Sequence, residues 1–179
     1  MLGPEGDQRI RPTADRVRET VFNILGQWLD HLLVLDLYAG TGALACEALS
    51  RGAAKAVLVD RDSEALSLCR SNCQALNFGD RVTIISSDVE RAIKNLGIQE
   101  LSFDLIFADP PYAVKAVSQI LKWIADAKLL RLGGRCVIEH GKKEDSPADF
   151  GGSDVSHLLH KSDQRNFGDT GVTIYQRLQ

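Results

Sequence analysis

The four residues Asp109-Pro110-Pro111-Tyr112 carry the most distinctive chemistry in the sequence. They directly follow Phe103–Ala108, an apolar run with the length of a buried strand. Two prolines fix φ and remove two backbone donors, so the Asp109 carboxylate and the carbonyls of Asp109 and Pro110 form a cluster of acceptors. An amino group that donates both of its N–H bonds to this cluster would have its lone pair aimed, and its developing positive charge would be stabilised.

Tyr112 adds a flat aromatic face beside these acceptors. Stacking of a base on such a face contributes roughly 1–3 kcal/mol, so the motif favours a planar amine such as a nucleobase or an amide. A target base in a duplex would have to be flipped out. We therefore predict that Asp109, Pro110 and Tyr112 are catalytic and that Pro111 and Tyr112 contact the substrate.

A glycine-rich turn, Gly40-Thr41-Gly42, follows a second apolar run, Leu32–Leu37. Such a turn lets the backbone approach a ligand at the carboxyl end of a parallel sheet, and it fits both dinucleotide sites and S-adenosylmethionine (SAM) sites. Asp36 favours SAM, because its carboxylate would face the pyrophosphate of NAD but the cationic methionine part of SAM. With Tyr38, Ala39 and the Gly40–Gly42 turn, Asp36 forms the predicted cofactor-binding segment.

Two further acids end the next strands in the same way. Asp60 closes the run Lys55–Asp60 and is placed to accept hydrogen bonds from ribose hydroxyls, with Arg61 beside it. Asp88 follows a third apolar run at residues 81–86. It is predicted to accept a hydrogen bond from the adenine amine while Val89 packs on the adenine ring. Asp88 would also serve as the N-cap of the helix that starts near Val89.

Strands alternate with helical patterns along most of the chain, which predicts an α/β fold with a mostly parallel sheet. The first helix is predicted over Ala14–Leu29, with Thr13 as its cap and Trp28 on its apolar stripe. A turn at 132–134 precedes a strand at Arg135–Glu139. Near the end, two strands, 156–161 and 171–178, are joined by a loop at 163–170 and predict an antiparallel hairpin. Residues 1–12 are expected to be a flexible segment and residues 13–179 a single domain.

Composition excludes several other classes of protein. The 179 residues carry a net charge of −3, which is not typical of a strongly basic nucleic-acid-binding protein. No apolar run is long enough to span a membrane, and the polar residues Met1 to Gln8 have no apolar core like that of a signal peptide. The four cysteines have no metal or disulfide spacing, as is typical of a reducing cytoplasm. The histidines form no metal site, and Glu139-His140 is expected to be structural although it borders the pocket.

With these residues in place, the chain resembles the class I SAM-dependent methyltransferases, whose amino-methyltransferases carry a (D/N)PPY motif. The opening segment Arg11–Glu19, followed by Phe22-Asn23-Ile24-Leu25, resembles that of a more specific bacterial family. This family is the RsmD-type 16S ribosomal RNA guanine-N2 methyltransferases. Phe167-Gly168-Asp169-Thr170 is similar to its closing hairpin.

The resemblance implies a Rossmann-like three-layer fold with a seven-stranded sheet, no metal, and methylation of a guanine amine in small-subunit ribosomal RNA. It implies that Arg11 and Thr13 lie near the cofactor or the RNA, and that a monomer acts on 16S rRNA within a 30S subunit. Similar proteins carry a further basic stretch before Arg11. Here Glu5 and Asp7 lie in that region, so we expect it to contribute less to RNA affinity.

Other functions remain open on the residues alone, which do not distinguish guanine from adenine. The same chemistry serves an adenine-N6 DNA methyltransferase or a glutamine methyltransferase. The chain has no second, target-recognition domain for DNA, and Asp109 stands where glutamine enzymes usually have Asn. A non-catalytic SAM-binding protein would not need the acceptor cluster. An NAD oxidoreductase is disfavoured by Asp36 and by the Asp109–Tyr112 turn.

Overall fold

A computed structural model describes residues 12–111, 116–151 and 157–178, and in residues 12–14 only the backbone. The predicted flexible segment 1–12 therefore lies outside the described residues, except for Pro12, at which the first helix begins. Arg11 and Tyr112 also lie outside them. Within the described ranges, no helix is both long enough and apolar enough to cross a membrane.

Helices and strands alternate through most of the chain. The helices described are α1 (Pro12–Leu25), α2 (Ala43–Ser50), α3 (Ser63–Ala75), α4 (Val89–Ile98) and α5 (Ala116–Asp126). The strands described are β1 (Leu33–Leu37), β2 (Lys55–Asp60), β3 (Val82–Ser86), β4 (Phe103–Ala108), β5 (Leu130–Gly141), β6 (Asp149–Phe150), β7 (Leu159–Phe167) and β8 (Thr170–Arg177). They form one sheet in the order β3-β2-β1-β4-β5-β8-β7-β6.

The sheet is parallel from β3 to β5 and antiparallel from β5 to β6. Strands β1 and β4 lie at its centre and are buried on both faces, which explains why they read as continuous apolar runs. One core packs α1, α2 and α3 against one face of the sheet, and a second packs α4 and α5 against the other. The three-layer α/β fold and the antiparallel C-terminal hairpin are therefore as predicted.

The strand count differs from the seven expected because a two-residue strand, β6, pairs with the outer edge of β7. The predicted loop at 163–170 is also wrong. Strand β7 runs on to Phe167, and only Gly168 and Asp169 separate it from β8. Gly168 has a φ of +61°, which suits such a tight hairpin turn.

The predicted turn at 132–134 lies inside β5, where the pairing with β4 shifts between Phe103 and Leu105. The first helix ends at Leu25 rather than Leu29. Gly26 ends it with a φ of +102° and an N–H that bonds the Phe22 carbonyl at 3.0 Å. Trp28 thus lies beyond the helix and is 77% exposed, so its predicted place on the apolar stripe is wrong.

Thr13 lies inside α1 and not before it, so the predicted cap position is also wrong.

Candidate active site

The turn between β1 and α2 is built from residues in the left-handed region. Tyr38, Gly40 and Gly42 have φ values of +62°, +52° and +78°. A Cβ placed on Gly40 would meet no atom within 4 Å, so open space adjoins the backbone there. A Cβ on Gly42 would lie 2.8 Å from Cys69 Sγ and 3.1 Å from Leu58 Cδ2, so this glycine lets the turn pack onto α3 and β2.

Asp60, at the end of β2, ties this turn to the sheet. Its Oδ2 accepts a hydrogen bond from the Gly40 N–H at 2.9 Å, and its Oδ1 accepts from the Asp62 N–H at 3.0 Å. Each carboxylate oxygen can accept a second bond, so these contacts leave capacity for a ligand hydroxyl. Asp60 therefore positions the turn and stays next to the open space beside Gly40.

Asp36 lies under the same turn and is only 2% exposed. Its Oδ2 accepts from the Ala45 N–H at 3.1 Å, near the start of α2. Burial is the largest cause that raises the pKa of Asp36; with the nearby carboxylates of Asp109 and Asp60, and against the lowering effect of the Ala45 N–H bond, it brings that pKa to about 7. A buried carboxyl group with such neighbours gains much from a positive charge beside it.

Asp88 is the N-cap of α4, as predicted. Its side chain accepts from the Glu90 N–H at 3.0 Å, and Val89 behind it is buried. Burial raises the pKa of the Tyr38 hydroxyl, Asp88 raises it further, and Arg61 lowers it. The Tyr38 hydroxyl is therefore near the charges of both Asp88 and Arg61. These three residues follow β1, β2 and β3, so the ends of the three strands meet at one edge of the sheet.

Asp109 leaves β4 at that same edge. Its N–H donates to the Leu37 carbonyl at 3.4 Å, Pro110 is buried, and Pro111 is exposed. The Asp109 side chain opens toward solvent, yet the surrounding protein desolvates it enough to raise its pKa. Its carboxylate has no hydrogen-bond or ion-pair partner in the part of the chain that the structure describes, so it is available to a ligand.

A cavity of about 130 Å³ opens beside Asp109, between α1 and the sheet. Its walls are mostly apolar, and its polar members are Arg18, Asp109 and Glu139. The full lining is Val17, Arg18, Val21, Ala43, Leu44, Phe107, Ala108, Asp109, Val137, Glu139 and Val172. Three of these come from α1, so the opening helix forms one wall of the candidate site.

Glu139 is the residue that sequence reasoning undervalued, since it was expected to be structural. Burial, as the larger cause, and the charge of Asp109 together raise the pKa of Glu139 to about 7. The sequence did contain one indication of a functional role, because Glu139 lies near the end of β5, the strand that pairs with β4. Its neighbour His140 is structural, as expected: the ring is buried, with Nε2 2.8 Å from Thr173 Oγ1 and Nδ1 2.9 Å from the Gly141 carbonyl.

Four neighbouring strands thus each bring one acid to the carboxyl edge. In sheet order these are Asp60 on β2, Asp36 on β1, Asp109 after β4 and Glu139 on β5. Carboxylates that repel one another and are partly desolvated are unfavourable unless a cation or several N–H donors complete the site. Among the described residues no cluster of three or more acids, histidines or cysteines is arranged to hold a metal ion.

Residues 2–176 match the protein family described as conserved hypothetical protein 95, which is the RsmD family. The chain belongs to the RsmD family. The Escherichia coli K12 protein named ribosomal RNA small subunit methyltransferase D is 34% identical over 174 residues, or 94% of this chain and 80% of that protein. YlbH of Bacillus subtilis is 35% identical over 167 residues, or 93% of this chain and 88% of that protein.

A solved Streptococcus pyogenes structure, described as a conserved hypothetical protein, has the same fold. The TM-score is 0.79 at 32% identity, over 89% of this chain and 94% of that one. The chain thus shares its sequence over most of its length with proteins named as rRNA methyltransferases, and its architecture with a solved structure. The resemblance inferred from the opening segment and the Asp109–Tyr112 motif is confirmed.

Proposed function

We propose that the protein is a SAM-dependent methyltransferase that methylates the exocyclic N2 amine of a guanine in 16S ribosomal RNA. The observation that carries this proposal is the Asp109 carboxylate, which faces a cavity without a partner among the described residues. Asp109 directly follows β4, the strand that pairs with β1, and β1 carries the buried acid Asp36. An amine acceptor and a cation-binding acid are thus neighbours on one sheet edge.

The residues present fit SAM. Open space adjoins Gly40, Asp60 retains acceptor capacity for ribose hydroxyls, and Asp36 offers a buried carboxyl group to a cationic ligand. Tyr38, Ala39, Thr41 and Gly42 would line the methionine and ribose portions. Asp88, Val89 and Arg61 would surround the adenine. When bound, SAM supplies an electrophilic methyl group on a positively charged sulfur.

Asp109 and the Pro110 carbonyl would accept the two N–H bonds of the target amine. That arrangement aims the nitrogen lone pair and fixes the plane of the base before reaction. Charge develops on the nitrogen as its new bond forms, and the Asp109 carboxylate, which the surrounding protein partly desolvates, would stabilise that charge. A raised pKa also suits Asp109 to take the proton that the nitrogen releases.

Pro111 and Tyr112 would contact the base, and Arg11 and Thr13 would lie near the cofactor or the RNA. The E. coli relative is named a ribosomal RNA small subunit methyltransferase, which supports ribosomal RNA of the small subunit as the substrate. Guanine N2 as the methylated atom follows from the family resemblance. Four buried, reduced cysteines suit a protein that works beside ribosomes in the cytoplasm.

Methyl transfer from labelled SAM tests this proposal directly. The protein is incubated with naked 16S RNA, with assembled 30S subunits lacking the modification, or with DNA, and the methylated nucleotide is mapped by mass spectrometry. We expect label on a guanine of 16S RNA in one or both ribosomal samples. Label on DNA alone would overturn the proposal.

The Asp109→Ala variant tests the role of the acceptor cluster. We expect its transfer rate to fall by about 100-fold or more, since one preorganised group acting on developing charge contributes on this scale. Asp80→Asn is the control, because Asp80 is an exposed acid in the 3-10 turn Gly79–Arg81, away from the cavity. An Asp109→Ala variant with wild-type activity would show that the amine is held elsewhere.

A further inference from the structure

Asp109 and Glu139 continue two paired strands on the same face of the sheet. Phe107 pairs with Val137 and Ala108 with Ile138 in the parallel register of β4 and β5. Side chains alternate between faces along a strand, so Asp109 and Glu139 share the face that carries Phe107 and Val137. All four line the cavity under α1. The carboxylates of Asp109 and Glu139 therefore lie side by side in the lining of one cavity.

No group in the described part of the chain neutralises the negative charge of Glu139. Its carboxylate has no hydrogen-bond or ion-pair partner there, and most of the cavity around it is apolar. Arg18 lines the same cavity, but its Nη2 lies 2.8 Å from Asp15 Oδ1. A partly buried acid beside another acid destabilises the fold, which indicates that Glu139 serves a ligand rather than the structure.

The edge of guanine offers what two adjacent carboxylates require. Its N1–H and its N2 amine are neighbouring donors on the Watson–Crick edge, the edge by which enzymes read a flipped base. Adenine presents its N6 amine beside N1, which is an acceptor. An ionised carboxylate only accepts hydrogen bonds, so it attracts the N1–H of guanine and repels the N1 lone pair of adenine.

We propose that Glu139 determines the base specificity of this enzyme by accepting the N1–H of the target guanine while Asp109 and the Pro110 carbonyl hold its N2 amine. This inference rests on the proposed function and supplies the discrimination that the Asp109–Tyr112 motif lacks. The raised pKa of Glu139 supports it, because a carboxyl group that is unfavourably charged in the free protein gains from an N–H donor.

The test changes the N1 position of the substrate and one charge of the protein. Synthetic 16S RNA carries either guanine or 2-aminopurine at the nucleotide mapped above, as naked RNA or in reconstituted 30S subunits. 2-Aminopurine keeps the N2 amine, exchanges N1–H for an acceptor and lacks O6, so the change of preference in a Glu139 variant, and not the wild-type preference alone, reports the N1 contact. For the wild type we expect kcat/KM to favour guanine by roughly 10- to 100-fold, the effect of one hydrogen bond to a charged group.

In Glu139→Gln the amide can donate to N1 of 2-aminopurine, so we expect the guanine preference to fall at least tenfold. Glu47→Gln is the matched control: it makes the same change on α2, where Glu47 pairs with Arg51. The control should keep the wild-type preference. A second measurement is the fluorescence of 2-aminopurine on binding, which should show tighter binding by Glu139→Gln than by the wild type.

An unchanged preference in a folded Glu139→Gln protein would overturn the inference and leave the proposed function intact. A wild type that transfers equally well to guanine and 2-aminopurine would overturn it too. Failure of the wild type to methylate any 16S RNA would instead overturn the proposed function.

Discussion

Gly42 allows a sharp test of how the cofactor turn is built. It is the N-cap residue of α2 with a φ of +78°, and its N–H donates to the Ala39 carbonyl at 2.7 Å. We expect Gly42→Ala to lower both the free energy of unfolding and the affinity for SAM. The new methyl group would have to displace Cys69 Sγ at 2.8 Å or Leu58 Cδ2 at 3.1 Å, and both belong to the buried core.

The expected loss of unfolding free energy in Gly42→Ala has two contributions. Holding a non-glycine residue in the left-handed region costs about 1–2 kcal/mol. Overpacking a buried site with one methyl group costs about 1–3 kcal/mol more. The sum is about 2–5 kcal/mol, which for a chain of this length corresponds to a fall in Tm of about 5–15 °C.

Gly133→Ala is the matched control, because Gly133 has a nearly identical φ of +76° and no atom within 4 Å of its would-be Cβ. It isolates the backbone contribution, so its Tm should fall by only about 2–6 °C. Urea unfolding of both variants gives the free energies, and calorimetry gives the SAM affinity. Equal destabilisation by the two substitutions would refute the packing argument.

Three further predictions concern individual contacts. Burial raises the pKa of Asp36 to about 7, whereas an unfolded aspartate titrates near 4, so the folded chain holds the extra proton in between. Stability should fall as pH rises through this interval, and urea unfolding of Asp36→Asn should show a weaker fall. Tyr175→Phe loses a 3.0 Å donation to the Pro147 carbonyl and should lower the free energy of unfolding by about 1 kcal/mol. Arg135→Met loses a 2.9 Å donation to the Leu25 carbonyl at the end of α1; hydrogen exchange of that last turn should become faster.

The parallel half of the fold follows from local signals. Strands β2 and β4 begin and end where the sequence predicts, because Lys55–Asp60 and Phe103–Ala108 are short apolar runs bounded by turn residues. The acids after these runs follow the same logic, since parallel strands bring their carboxyl ends to one edge. The sequence could therefore predict that Asp36, Asp60, Asp88 and Asp109 lie along one edge of the sheet.

The antiparallel half was predicted less well because its pattern is polar. Strand β7 carries Ser162, Asp163, Gln164, Arg165 and Asn166, residues that favour loops on propensity. Its backbone pairing with β8 overrides that preference, because an edge region of an antiparallel sheet can face solvent without apolar alternation. A two-residue strand such as β6 leaves no periodic signal at all.

The sequence did not predict a functional role for Glu139, for a different reason. A glutamate in an apolar strand has several structural explanations, and only the register of β5 against β4 places it beside Asp109. The charges of Asp109 and Asp60 raise the pKa of Asp36, and the charge of Asp109 raises that of Glu139. Carboxylates gathered on one edge cost stability unless positive charge or N–H donors complete the site. In the function proposed above, SAM would supply the positive charge at one end of this edge and the guanine would supply the N–H donors at the other.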